Sequence, residues 1–142
     1  EMLKHEVVKL DLKDKVTLKY EFLTEEAKMK YYAASDVCVF PSKYEPFGIV
    51  CTEAMAMGKP VVVGARDVSG LREQIIPSGP SQCGFHINPY DPSDIAKFVA
   101  ILLEDSELRE RCGKNARERV LEAFTWSKVA ENTLRVYNEV IS

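Results

Sequence analysis

Two carboxylates, Glu45 and Glu53, stand eight positions apart with Gly48 between them in the run Lys43-Tyr44-Glu45-Pro46-Phe47-Gly48-Ile49-Val50-Cys51-Thr52-Glu53. Carboxylates accept hydrogen bonds from hydroxyl groups, and a glycine lets a ligand come close to the backbone. The run reads as a loop that turns into a helix near Ile49 to Thr52. At a helix start the free backbone N–H groups and the positive end of the dipole meet, which suits a phosphate. A ligand that carries both hydroxyls and phosphate fits this set of groups. The spacing alone is weak, because 15 glutamates in 142 residues produce about one such pair by chance, and Glu110/Glu118 and Glu131/Glu139 share it. Taken singly, Glu45 reads equally well as a solvated loop residue, and Glu53 as a first-turn residue matched to the helix dipole.

Other chemistries find little support. The sequence holds no Gly-x-Gly-x-x-Gly, no Gly-x4-Gly-Lys-Ser/Thr, no His-Glu-x-x-His and no Asp-x-Asp pair. Cys38, Cys51, Cys83 and Cys112 are scattered, and His5 and His86 lie far from them, which argues against a zinc site or a disulfide framework. His86 reads as a sheet or loop residue, and Arg66 and Arg72 as partners in surface or loop-stabilising pairs. With 19 basic and 22 acidic side chains, net −3, the chain has no overall positive field, and no basic patch points to nucleic acid. Apolar residues make up 46% and charged residues 29%, the composition of a globular domain. No apolar run approaches the roughly 20 residues of a membrane span. The start Glu1-Met2-Leu3-Lys4 lacks the features of a signal peptide and there is no Asn-x-Ser/Thr acceptor, which predicts a cytoplasmic protein.

The elements that must position the glutamates alternate in type. Leu3, Val7 and Leu10 predict the last turns of an amphipathic helix, and Val16, Leu18, Tyr20 and Phe22 alternate as in a half-buried strand. Thr24 caps a helix to about Ala34, with Glu25 and Glu26 in its first turn. Asp36 to Phe40 is a short buried strand ending at Pro41, followed by a loop from Ser42 to Gly48 and a helix to about Met57. Val61 to Ala65 is a second buried strand. A loop from Asp67 to Gly70, a short helix from Leu71 to Ile76, an irregular turn to Gly84 and a strand Phe85 to Ile87 follow. Ser93 and Ser106 are candidate caps for two helices, the second reaching Phe124. Thr125 opens a third, with Trp126, Val129, Ala130, Thr133, Val136, Tyr137 and Val140 on one side. This order predicts one α/β domain over residues 1–142, a Rossmann-like parallel sheet flanked by helices. It also places the glutamate run after the carboxyl end of a strand, where open α/β sheets bind ligands.

The string Glu-Pro-Phe-Gly-Ile-Val-x-x-Glu-Ala-x-Ala-x-Gly-x-Pro-Val-Val from Glu45 resembles the signature of retaining glycosyltransferases of the GT-B fold, of the glycogen-synthase-like and family 4-like kind. The likeness runs from Tyr31-Tyr32-Ala33-Ala34-Ser35-Asp36 and Phe40-Pro41-Ser42 through Val63. It continues through Gly70-Leu71-Arg72-Glu73, Gly84-Phe85, Asp91-Pro92 and Phe124-Thr125-Trp126.

The resemblance implies a partial C-terminal nucleotide-sugar-binding domain that lacks its first strands. It implies a hexosyltransferase that takes its sugar from a nucleotide diphosphate donor, with a slight tilt toward glucose. Glu45 is the implied catalytic residue beside the donor hexose, whose hydroxyls the Phe47 and Gly48 amides reach. Ile49, Val50 and Thr52 belong to the segment that meets the distal phosphate, and Glu53 holds the nucleotide ribose. No cofactor and no metal ion are implied, because the Asp-x-Asp pair of the metal-dependent glycosyltransferases of the other major fold is missing, and no protein nucleophile is needed where the leaving phosphate assists transfer on one face of the sugar. The acceptor would be bound mainly by an N-terminal domain outside these residues, as would part of the phosphate, so the fragment alone is expected to be inactive. The alternatives are a noncatalytic GT-B-like module for regulation or protein contact, and an epimerase or hydrolase with a similar site. A sheet of order 3-2-1-4-5-6 would leave Val37 to Phe40 with an open edge, which would allow self-association. In the family the closing helix crosses back to the N-terminal domain, so part of the apolar stripe of the last helix is expected to lack cover.

Overall fold

The computed structural model describes residues 1–66 and 68–141. Ten elements follow in order: α1 Met2–Lys9, α2 Glu25–Ala34, β1 Cys38–Phe40, α3 Ile49–Ala56, β2 Val61–Gly64, α4 Leu71–Gln74, β3 Gly84–Ile87, α5 Pro92–Glu104, α6 Ser106–Ala123 and α7 Trp126–Ile141. The three strands are parallel in the order β1-β2-β3, with Cys38 opposite Val61 and Val61 opposite Gly84. Every crossover therefore carries a helix, as parallel pairing requires.

The central strand shows why this sequence builds a layered fold. Val61, Val62 and Val63 have no exposed surface. Alternate residues face opposite sides of a strand. Val61 and Val63 accordingly pack with Cys51, Ala54, Met55 and Leu71 on one face, and Val62 with Ile87, Leu102 and Cys112 on the other. Burying each such side chain contributes about 1.5–3 kcal/mol. The free thiols of Cys51 and Cys112 belong to this core, and burial holds both well above the ordinary thiol range. Neither is a nucleophile at neutral pH.

Three expectations are corrected by this arrangement. The alternating segment Val16 to Phe22 forms no strand: residues 16–20 are irregular, and Phe22 is 97% exposed. Period-two alternation prepares a strand, but its N–H and C=O groups still need a neighbouring ladder, and among the described residues none lies beside this segment. The helix caps move one or two residues upstream. Asp91 accepts from the Ser93 amide at 2.9 Å and Asp105 from the Leu108 amide at 2.8 Å, so Ser93 and Ser106 lie inside their helices. Pro92 explains the first case, because its fixed φ and missing N–H favour the opening helical position. The short helix α4 ends at Gln74 rather than Ile76, and β2 ends at Gly64 rather than Ala65.

Other expectations hold. The Thr24 hydroxyl caps α2 by accepting from the Ala27 amide at 3.2 Å, and the Thr125 hydroxyl accepts from the Lys128 amide at 3.3 Å at the start of α7. The Cys38 amide donates to the Pro60 carbonyl, and neighbouring residues in a parallel strand point to opposite sides. The Val39 amide therefore faces the edge of β1 that has no partner strand among the described residues. No residue of α7 is buried, and Trp126 and Val140 are 85% and 79% exposed. The predicted loop from Asp67 to Gly70 begins at a residue outside those described. No described helix is long and apolar enough to cross a membrane.

Candidate functional site

The loop between β1 and α3 crosses the carboxyl ends of β1 and β2. Two contacts tie it to the Ser69–Gly70 segment, and a third ties that segment to β2. Glu45 makes a parallel bridge with Ser69, the Gly70 amide donates to the Glu45 carbonyl at 2.7 Å, and the Ser69 hydroxyl donates to the Gly64 carbonyl at 2.8 Å. Gly70 has to be glycine because a Cβ there would overlap the Pro46 carbonyl.

Gly48 then sets the direction of α3. It caps the helix in the left-handed region, with φ +87° and ψ +65°, and is itself buried. A Cβ at Gly48 would lie 2.5 Å from Leu71 Cδ2. Glycine is thus required twice, for conformation and for space. The helix start remains open to solvent, with Ile49 61% and Val50 42% exposed.

The set of free donors is narrower than the sequence predicts. The Cys51 amide is taken by the Gly48 carbonyl at 3.0 Å, and the Thr52 hydroxyl turns back to donate to the Ile49 carbonyl at 2.8 Å. Within the helix, Thr52 therefore presents no free hydroxyl hydrogen. Among the described residues the Ile49 and Val50 amides meet no acceptor. These two N–H groups, with the positive end of the dipole behind them, are free to donate to an acceptor from outside the chain, and an anion is the acceptor such a helix start favours.

The two glutamates serve different flanks of this point. Glu45 lies on the β2–α4 side, half-buried, with its Cγ packed against Gly48, and its carboxylate meets no donor among the described residues. Glu53 begins the second turn of α3 rather than lying in the first, where no acidic residue stands. Its carboxylate turns toward α2. Lys28 Nζ donates to Glu53 Oε1 at 2.9 Å, and the Tyr32 hydroxyl to Oε2 at 3.4 Å. Burial, and then the Glu53 charge, push Tyr32 up to about 12, so its hydroxyl remains a donor.

Several residues that shape the site carry no local sequence signal. Lys28 and Tyr32 lie 25 and 21 positions from Glu53 and meet it only through the packing of α2 on α3. Gln74 is buried, and its Nε2 donates to the Phe47 carbonyl. Its place beside Leu71 and Ile75 in the core was the one available hint, a polar side chain in an apolar stretch. The Arg119 guanidinium donates in turn to the Gln74 and Glu73 carbonyls and lies over the Phe124 ring, and Phe47 meets that ring edge-on at 5.9 Å. Phe47 is therefore held at its carbonyl and its ring. Arg66 and Arg72 form no ion pair among the described residues, unlike the pairing expected from the sequence.

The sequence pattern of the family described as group 1 glycosyl transferases matches residues 1–119. A glycosyltransferase of Methanocaldococcus jannaschii is 41% identical over 116 residues, which are 82% of this chain and 28% of that protein. The sucrose-phosphate synthase of Thermosynechococcus elongatus superposes with a TM-score of 0.84 at 36% identity, over 98% of this chain and 33% of its own. Anabaena HepE, whose structure is a complex with UDP, superposes with a TM-score of 0.85 at 24% identity, over 97% of this chain and 36% of its own. The chain thus spans about a third or less of the M. jannaschii and T. elongatus proteins.

Proposed function

The chain belongs to the group 1 glycosyltransferases, with the parallel α/β architecture of the GT-B fold. From that premise we propose that these residues form the donor-binding part of a retaining hexosyltransferase that uses a nucleotide diphosphate sugar. The observation that carries this reading is the open start of α3, where the Ile49 and Val50 amides meet no acceptor among the described residues and lie in the chain between Glu45 and Glu53.

A nucleotide diphosphate sugar presents hydroxyls at both ends and a diphosphate in the middle. In this reading the Ile49 and Val50 amides receive the distal phosphate, while Glu45, with the Phe47 and Gly48 amides, meets the hexose hydroxyls. Glu53 receives the ribose hydroxyls. During transfer the bond from the anomeric carbon to the phosphate oxygen breaks and a bond to the acceptor oxygen forms on the same face. The acceptor proton passes to the departing phosphate oxygen. Negative charge grows on that phosphate as the bond breaks, and the fixed helix-start amides stabilise it most at that moment. A divalent ion has no part in the proposal. The UDP in the HepE complex supports a donor of this class. The acceptor is assigned to the rest of a longer protein, so sugar transfer is a property of that protein and not of the 142 residues alone.

The test is a pair of substitutions in the full-length protein. Glu45→Ala should lower kcat by about 10²–10³-fold with little change in nucleotide affinity. Glu53→Ala should weaken nucleotide binding about tenfold or more, because it removes charged hydrogen bonds to the remote end of the donor. Calorimetry showing unchanged nucleotide affinity for Glu53→Ala would remove its assignment, and unchanged turnover for Glu45→Ala would remove the other.

A further inference from the structure

A carboxylate that is to hold a diol has to present its free lone pairs in one direction, and the surroundings of Glu53 do this. Its two oxygens offer about four acceptor positions. Lys28 Nζ occupies one on Oε1 at 2.9 Å, and the Tyr32 hydroxyl one on Oε2 at 3.4 Å. One position on each oxygen is left, the number that two neighbouring hydroxyls require.

The holding groups sit on a fixed support. Lys28 and Tyr32 are four residues apart on α2 and so share one face of it. Thr24 caps that helix, and Tyr32 packs against the core that contains Cys38 and Cys51. Lys28 also bonds the exposed Glu25 of its own helix at 3.0 Å, so its ammonium is held from α2 on one side and spans to Glu53 of α3 on the other. Lys28 and Glu53 are both largely shielded, with side chains 25% and 22% exposed. The hydrogen bonds to Glu53 and then to Glu25 hold the Lys28 ammonium above its ordinary range. An ion pair near the surface contributes little to folding. Orientation of the carboxylate is the larger consequence of this geometry.

We infer that Lys28, assisted by Tyr32, is a positioning residue that aims the Glu53 carboxylate at the 2′,3′-diol of a nucleoside diphosphate. The inference rests on the assignment of Glu53 to the ribose. It makes Lys28 act on the ligand through Glu53, without touching phosphate or base. An effect of Lys28 must therefore vanish when either Glu53 or the diol is removed.

The experiment measures binding of UDP, ADP and GDP to the full-length protein by calorimetry. It then compares the tightest of these with its 2′,3′-dideoxy analogue. Lys28→Met should weaken the diol nucleotide about tenfold and leave the dideoxy analogue within about twofold. Lys28→Arg should restore most of the affinity, and Tyr32→Phe should give a smaller loss in the same direction. Lys28→Met combined with Glu53→Gln should bind no more weakly than Glu53→Gln alone. Equal losses for both nucleotides would overturn the inference, since Lys28 would then act on phosphate or on the fold at large. Unchanged or tighter diol binding would overturn it too. Glu53→Gln itself separates the two levels. If that variant loses no more affinity for the diol nucleotide than for the dideoxy analogue, the ribose assignment fails and the inference falls with it. If its loss is specific to the diol and that of Lys28→Met is not, only the inference fails. Should Lys28→Met not fold, Tyr32→Phe carries the same comparison, and equal losses for both nucleotides in that variant would overturn the inference.

Discussion

At the scale of single residues, one spacing covers two unlike environments. Glu45 and Glu53 are interchangeable as letters in a pattern, yet one rests in a loop against Gly48 and the other is gripped from α2. The sequence could supply the residue types and the helix start. It could not supply the grip, because Lys28 and Tyr32 meet Glu53 only after two helices pack. His86 illustrates a further residue whose behaviour depends on packing. Its Nε2 is buried without a partner among the described residues, and burial, followed by the Arg72 charge, lowers its pKa. The folded state therefore resists protonation of His86, while the unfolded chain accepts a proton near pH 6.5. Above that pH the residue contributes nothing to pH dependence. As pH falls through about 6.5 toward the lower folded value, the unfolded state gains protons first and stability drops. Thermal melts between about pH 7.5 and 5.5 should show this loss, and His86→Gln should flatten it. An unchanged slope in the variant would contradict the account.

At the scale of elements, buried strands and capped helices were legible because their signals are local. Continuous apolar runs marked β1 and β2, and Thr24 and Thr125 marked helix starts. The segment Val16 to Phe22 was misleading for a physical reason: alternation reports the side chains, whereas a strand is fixed by backbone partners that lie elsewhere. The serine caps were displaced by aspartates just upstream, one of them with proline at the first helical position. The decisive element is α3, whose direction depends on the left-handed Gly48. Gly48→Ala forces a Cβ into that conformation, about 1–2 kcal/mol, and against Leu71, about 1–3 kcal/mol for overpacking. Urea unfolding should show a loss of about 2–5 kcal/mol in total. A loss below about 0.5 kcal/mol would mean that Gly48 does not hold the observed backbone.

At the scale of the molecule, three parallel strands make a sheet with an open edge at β1, and α7 carries an apolar stripe without cover among the described residues. The sequence pointed to both, through the strand order it suggested and the one-sided apolar pattern of α7. The α/β architecture was legible from alternation of elements, whereas the linkage of Arg119, Gln74 and Phe47 was not. Its contacts run through backbone carbonyls across long stretches of chain, which no side-chain pattern announces. That linkage matters because it braces the loop from behind while leaving the α3 amides free in front.

The central claim is that these amides are the diphosphate site. Amide NMR spectra of the ¹⁵N-labelled chain, titrated with UDP, ADP and GDP and with the matching nucleosides, test it most directly. The account predicts saturable shifts of Gly48, Ile49 and Val50 with at least one diphosphate, little or no shift there with the nucleosides, and smaller shifts near Glu53 with both. Diphosphate-dependent shifts confined to other residues, with Ile49 and Val50 unmoved, would contradict it.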